Sequence, residues 1–120
     1  MKETIKTIIE WQEQTFPDAT LEGQIEKFKD ERQEFYDSFN DKELSITELA
    51  DMFIVACGIS RFDALKGVLH LWETLSTALD FKVNWKDLLD TVDVKMKINR
   101  ARNWEKKDGK YQHKEEGNDL

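Results

Sequence analysis

Glu48-Leu49-Ala50-Asp51-Met52-Phe53-Ile54-Val55-Ala56-Cys57-Gly58-Ile59 is the stretch whose pattern decides the fold. Read as a helix, Leu49 to Ile59 is apolar on every side except at Asp51 and Gly58, so it predicts a central helix with protein packed around it. Asp51 is its anomaly. An ionised carboxylate inside such a helix costs several kcal/mol unless a cation or a basic side chain pairs with it.

Working outward, one proline and five glycines in 120 residues leave long uninterrupted stretches and favour helix over a turn-rich β-fold. Ser45 with Glu48 reads S-x-x-E, a capping box that would start this central helix and carry it to about Phe62. Upstream, Thr20 is placed to cap a helix with the stripe Leu21, Ile25, Phe28, Arg32, Phe35 and Phe39, and Asn40-Asp41-Lys42 is a turn. Further upstream, Ile5, Ile8, Ile9, Gln12 and Phe16 form a helical stripe over 3–15 that Phe16-Pro17 ends. Downstream, 63–79 carries Leu65, Val68, Leu69, Trp72, Leu75 and Leu79, and Asn84 caps a fifth helix through Trp85, Leu88 and Val92. Trp72 and Trp85 fall on these stripes and are expected in the core. The expectation is an all-α bundle of about five helices over 1–104, with 105–120 a polar tail or flap.

Asp51 has company. Glu31 and Glu34 form one carboxylate pair at i,i+3 spacing, Glu48 and Asp51 a second, and residues three apart share a helix face. Packed side by side, the two helices would converge four carboxylates, which is tolerable around a cation such as Mg²⁺. Each acid also has an ordinary explanation: a buried salt bridge for Asp51, the capping box for Glu48, a solvated edge for Glu31 and Glu34. The joint pattern favours a metal site.

A second line runs through the fifth helix. Lys95, Asn99 and Arg102 continue the stripe of Trp85, Leu88 and Val92, so its inward edge changes from apolar to cationic. Such donors suit phosphate oxygens, although basic residues also pair well with a helix C-terminus. Trp11 and Trp104 lie in more polar surroundings, where an indole either packs or stacks on a base.

Composition narrows the class. The net charge of −7 hides a segment, 95–114, with eight Lys/Arg against Glu105 and Asp108. A basic segment on an acidic body points to a local anionic ligand or a solvated helix end, not to stable nucleic-acid binding. Hydrophobic residues at 39% against 36% charged make a lean core, which predicts burial gained in an oligomer. The single cysteine, Cys57, is expected as a buried thiol in a reducing compartment. No apolar run reaches membrane-span length and the start lacks a signal-peptide core, so the expectation is a cytoplasmic chain with no membrane partner. Zinc-ligand spacing, a Ser-His-Asp set and a glycine-rich phosphate loop are not found.

Glu31-x-x-Glu34 followed by Glu48-x-x-Asp51 resembles the E-x-x-E…E-x-x-D metal motif of the MazG-like, all-α nucleoside triphosphate pyrophosphohydrolases. Lys95-Met96-Lys97-Ile98-Asn99-Arg100-Ala101-Arg102 is similar to the K-M-x-x-N-R-x-R segment of the dCTP-pyrophosphatase-like and phage-type members. Trp11 to Phe16 with Gln24-Ile25-Glu26-Lys27 also looks like the start of small members, so the resemblance spans about Trp11 to Trp104. The chain departs from the pattern at Asp30, where members often have Glu, at Val55, where some dCTP-preferring relatives have Tyr, and in a longer 63–81.

The resemblance implies hydrolysis of a nucleoside or deoxynucleoside triphosphate to monophosphate and pyrophosphate by a homodimer or homotetramer. It implies Mg²⁺, with Mn²⁺ the alternative ion, on Glu31, Glu34, Glu48 and Asp51. Glu34 would take the proton of the attacking water, Lys95, Asn99 and Arg102 would hold phosphates, and Trp11 or a residue from a second subunit would lie against the base. The competing expectation is a non-enzymatic helical adaptor that binds an acidic partner through the basic C-terminal arm.

Overall fold

The computed structural model describes residues 2–107 and 110–113. Five helices follow one another: α1 Ile5–Thr15, α2 Leu21–Asp37, α3 Lys42–Phe62, α4 Ala64–Asp80 and α5 Trp85–Ala101. An antiparallel hairpin, β1 Trp104–Lys107 with β2 Lys110–His113, comes after them. The expected all-α bundle is therefore present, and the stretch read as a tail or flap contains strand pairing that begins at Trp104. Residues 108, 109 and 114–120, the rest of that stretch, lie outside the described residues.

The all-round apolar helix is central. Leu49, Ala50 and every residue from Met52 to Ile59 are buried, and α1, α2, α4 and α5 pack around α3. Phe28 and Phe35 of α2 and Leu88, Val92 and Met96 of α5 complete the core, while Phe39 is exposed. Cys57 is fully buried, and burial pushes its thiol up to about 12. Among the described residues no helix is long and apolar enough to cross a membrane.

Capping departs from expectation at one helix. Thr20 and Asn84 accept from the backbone amides of Gly23 and Asp87, as their positions predict. The central helix begins earlier than the Ser45–Glu48 signature suggests, because Asp41 Oδ1 accepts from the Leu44 amide at 3.1 Å. Ser45 instead donates to the Ser38 carbonyl at 2.8 Å and ties α3 to the end of α2. Glu48 is thereby relieved of a capping role.

The largest correction concerns the fourth helix and the start of the fifth. Trp72 is 69% exposed and Trp85 48%, so neither belongs to the core. Leu65, Val68, Leu69 and Leu79 also face outward. The buried face of α4 is made of small residues, Gly67, Thr74, Thr77 and Ala78. They bring α4 close to α3: a Cβ on Gly67 would overlap Ser60. Both threonine hydroxyls are satisfied within the helix, donating to the carbonyls of His70 and Glu73. A periodic stripe names a face without naming what covers it, and here closeness of backbone decided which face turned inward.

One clamp joins the first helix to the fifth. Arg100 of α5 makes two hydrogen bonds to the Glu3 carboxylate, at 3.0 and 2.9 Å, and the Glu3 amide donates to Asp93 Oδ1 at 2.7 Å. These contacts hold the start of α1 against α5.

Candidate metal centre and ligand cleft

Helices α2 and α3 run antiparallel across a short turn, so Glu34 lies level with Glu48 and Glu31 level with Asp51. Oxygens of Glu31, Glu34 and Glu48 can all lie within 4.8 Å of one another. Glu31 is buried, Glu48 half-buried and Glu34 exposed. Asp51, one turn along from Glu48, lines the same cleft. Three of the four acids singled out by spacing thus come within ligating distance of one another, and the fourth, Asp51, shares their cleft without joining that group.

Fixed cations offset only part of this charge. Lys95 Nζ is 3.3 Å from Asp51 Oδ1, and Lys27 Nζ is 3.5 Å from Glu31 Oε2. Asp51 therefore does have the salt-bridge partner that its ordinary explanation requires. Glu34 and Glu48 make no ion pair among the described residues, although the Lys95 charge acts on Glu48, and the buried Glu48 Oε2 has no hydrogen-bond partner. A buried acceptor without a donor is expensive, and a hard cation is one way to satisfy it.

The proton affinities report the crowding. Burial, followed by the charge of Asp51, pushes Glu31 up to about 8, with Lys27 pulling the other way. Burial, then the charges of Asp51 and Glu34, pushes Glu48 up to about 7. Asp51 is also raised by burial, against the pull of the Lys95 ammonium. Without a further positive charge, this pocket holds protons where acids would ordinarily have lost them.

The cleft encloses about 400 Å³ and extends beyond the acids. It takes in Lys95, Asn99 and Arg102 from the end of α5, so the cationic line faces the same space as the carboxylates. Lys95 and Arg102 are half-buried, and Arg102 makes no ion pair among the described residues. Asn99 is buried, with its Nδ2 4.0 Å from Met96 Sδ, and its backbone carbonyl accepts from Trp104 Nε1 at 3.0 Å. Trp11, Phe16 and Trp104 meet edge to face with centroids 5.2–5.9 Å apart, forming an aromatic wall at this part of the cleft. The volume falls in the range of small-molecule sites, and a lining that is mostly polar and charged suits a charged ligand.

Four polar residues of the lining are not among the site residues that spacing points to: Gln12, Thr20, Gln24 and Lys27. Gln12 sits on the apolar stripe of α1 and is buried, its Nε2 donating to the Ile54 carbonyl at 2.9 Å. A lone amide on a buried stripe was its signal. Gln24 and Lys27 follow from α2; the i,i+4 spacing of Lys27 and Glu31 was legible but not used. Gly58 lets both glutamines in, since a Cβ there would overlap the side-chain oxygens of Gln12 and Gln24. No protein-family model, curated protein or solved structure matches the chain.

Proposed function

We propose that this chain is a Mg²⁺-dependent, MazG-like nucleoside triphosphate pyrophosphohydrolase that works in the cytoplasm as a homodimer or homotetramer. The observation that carries the reading is one cleft lined by four carboxylates and, beside them, by Lys95, Asn99 and Arg102. The acids offer only hard oxygen donors, and Glu48 Oε2 lacks a partner, which fits Mg²⁺ with Mn²⁺ as the alternative ion.

Glu31, Glu34, Glu48 and Asp51 would hold the metal, which when bound would neutralise charge on the triphosphate oxygens. Lys95 and Arg102 would grip phosphate oxygens through charge-assisted hydrogen bonds, with Asn99 adding a neutral donor. Glu34 would accept a proton from the attacking water, and its access to solvent supports that role. Water adds across the α–β phosphoanhydride, which breaks to monophosphate and pyrophosphate. Trp11, with Trp104 beside it, would border the base.

The test is a panel of NTPs and dNTPs with Mg²⁺, scored for pyrophosphate against orthophosphate. Metal-dependent pyrophosphate release is the expected result. Orthophosphate as the primary product, or no turnover on any nucleotide, would overturn the proposal. The adaptor reading requires neither the crowded acids nor the cationic line beside them.

A further inference from the structure

The exposed apolar residues of α4 do not scatter. Leu65, Trp72 and Leu79 are spaced by seven, with Val68 and Leu69 between the first two, so all five lie along one stripe. They are 69%, 69%, 77%, 58% and 57% exposed, in that order. Together they present roughly 600 Å² of apolar surface, at the upper limit of the largest patch on an ordinary monomer. A standard interface buries about 800 Å² per partner, so the stripe with its polar margin is the right size for one.

We infer that the occupant is a second copy of this chain, docked α4 against α4 in antiparallel fashion about a two-fold axis near Trp72. The stripe is self-complementary in that arrangement. Trp72 is its midpoint, so Leu65 of one copy falls opposite Leu79 of the other, and the two tryptophans meet at the axis. Charge agrees: Lys66 and Asp80 are exposed near opposite ends of the helix, and neither makes an ion pair among the described residues. Antiparallel docking brings Lys66 of each copy toward Asp80 of the other, and also opposes the helix dipoles. A parallel pairing would place Lys66 beside Lys66 and Asp80 beside Asp80.

The interface deepens the homo-oligomer reading above and fixes its location: α4 contributes no residue to the cleft, so each copy keeps its site open to solvent. The full chain is examined by sedimentation and light scattering at about 50 µM, beside W72K and the conservative W72L. The expected result is an assembly in the wild type and W72L, and at least a tenfold weaker association for W72K, with helical circular dichroism unchanged. A second arm places L65C and L79C together in a C57A background and asks whether mild oxidation links two copies. Linkage between copies is expected for the double variant, and for neither single variant. A monomeric wild type would overturn the oligomer reading and this interface together, leaving the face to a different partner. An assembly that W72K does not weaken would overturn the α4 interface alone, and linkage in L65C or L79C alone would overturn its antiparallel sense. Pyrophosphohydrolase activity enters none of these outcomes.

Discussion

Glu31 and Asp51 each form an ion pair with a lysine, at 3.5 and 3.3 Å, whereas Glu34 and Glu48 form none among the described residues. The two halves of the acidic cluster thus handle like-charge repulsion differently. In the first half the compensating charge is covalently part of the protein. In the second no lysine makes an ion pair, and the Lys95 ammonium offsets only part of the charge on Glu48. A proton or an exchangeable cation therefore has more to gain in the second half than in the first.

The most severe way to break this contrast is Asp51→Asn, which leaves the shape of α3 intact but removes a donor and the partner of Lys95. Mg²⁺-dependent turnover is expected to fall at least about a hundredfold, or roughly 2.7 kcal/mol of barrier. Circular dichroism should be unchanged. Wild-type turnover at limiting Mg²⁺ would show that the paired half takes no part in catalysis.

Lys95→Met probes the other partner and is expected to cost stability as well as function. It strands the half-buried Asp51 carboxylate, at an expected cost of about 2 kcal/mol in urea unfolding without metal. Lys27→Met should cost less, because Glu31 at about 8 can stay protonated near neutral pH when its lysine is lost. Equal costs would mean that the two lysines do the same job.

Stability should also depend on pH in the direction opposite to ordinary salt-bridged acids. Glu31 and Glu48, at about 8 and about 7, lie above the ordinary 4.5, so the folded chain holds protons that the unfolded chain has released. The stability they contribute is complete below about pH 4.5 and is lost as pH rises through about 7 to 8. Thermal unfolding without metal should therefore give a lower Tm at about pH 8.5 than at about pH 6, by several degrees. Adding Mg²⁺ at the higher pH should recover the loss. A flat profile would place compensating charge somewhere other than the two lysines.

Arg102→Ala should have the smallest effect, weakening binding of a non-hydrolysable dNTP about tenfold. It borders the cleft without bracing either half of the cluster, so unfolding should be unaffected. Calorimetric titration separates that outcome from a purely structural role.

Much of this was legible in the sequence because it rests on spacing. Four acids at i,i+3 on adjacent helices, the buried run around Ile54 and the inward turn of Lys95 and Asn99 all follow from helical geometry. The start of α3 was misplaced because Ser45-x-x-Glu48 and Asp41 both satisfy capping rules, and the Ser38 carbonyl claimed Ser45. Trp72 turns outward because Gly67, Thr74 and Ala78 offer α3 a closer approach than a large apolar face can, and Trp85, the first residue of α5, is exposed without a structural reason of that kind. The hairpin escaped notice because its strands are four residues each, too short for alternation to register. Gln12 and Gln24 depend on Gly58 across a helix interface, a long-range fact that no local pattern carries.

The placement of the tryptophans has a spectroscopic consequence. Trp72 and Trp85 stand in solvent, while Trp11 and Trp104 are shielded against Phe16 beside the cleft. The ultraviolet emission of the chain is therefore a sum of a red, quencher-accessible pair and a blue, protected pair. Pairing through α4, as inferred above, would move Trp72 into the protected class until dilution uncovers it, and a ligand in the cleft would act on the second pair by altering the aromatic wall. Acrylamide separates the two contributions, so one unlabelled sample reports assembly and occupancy independently.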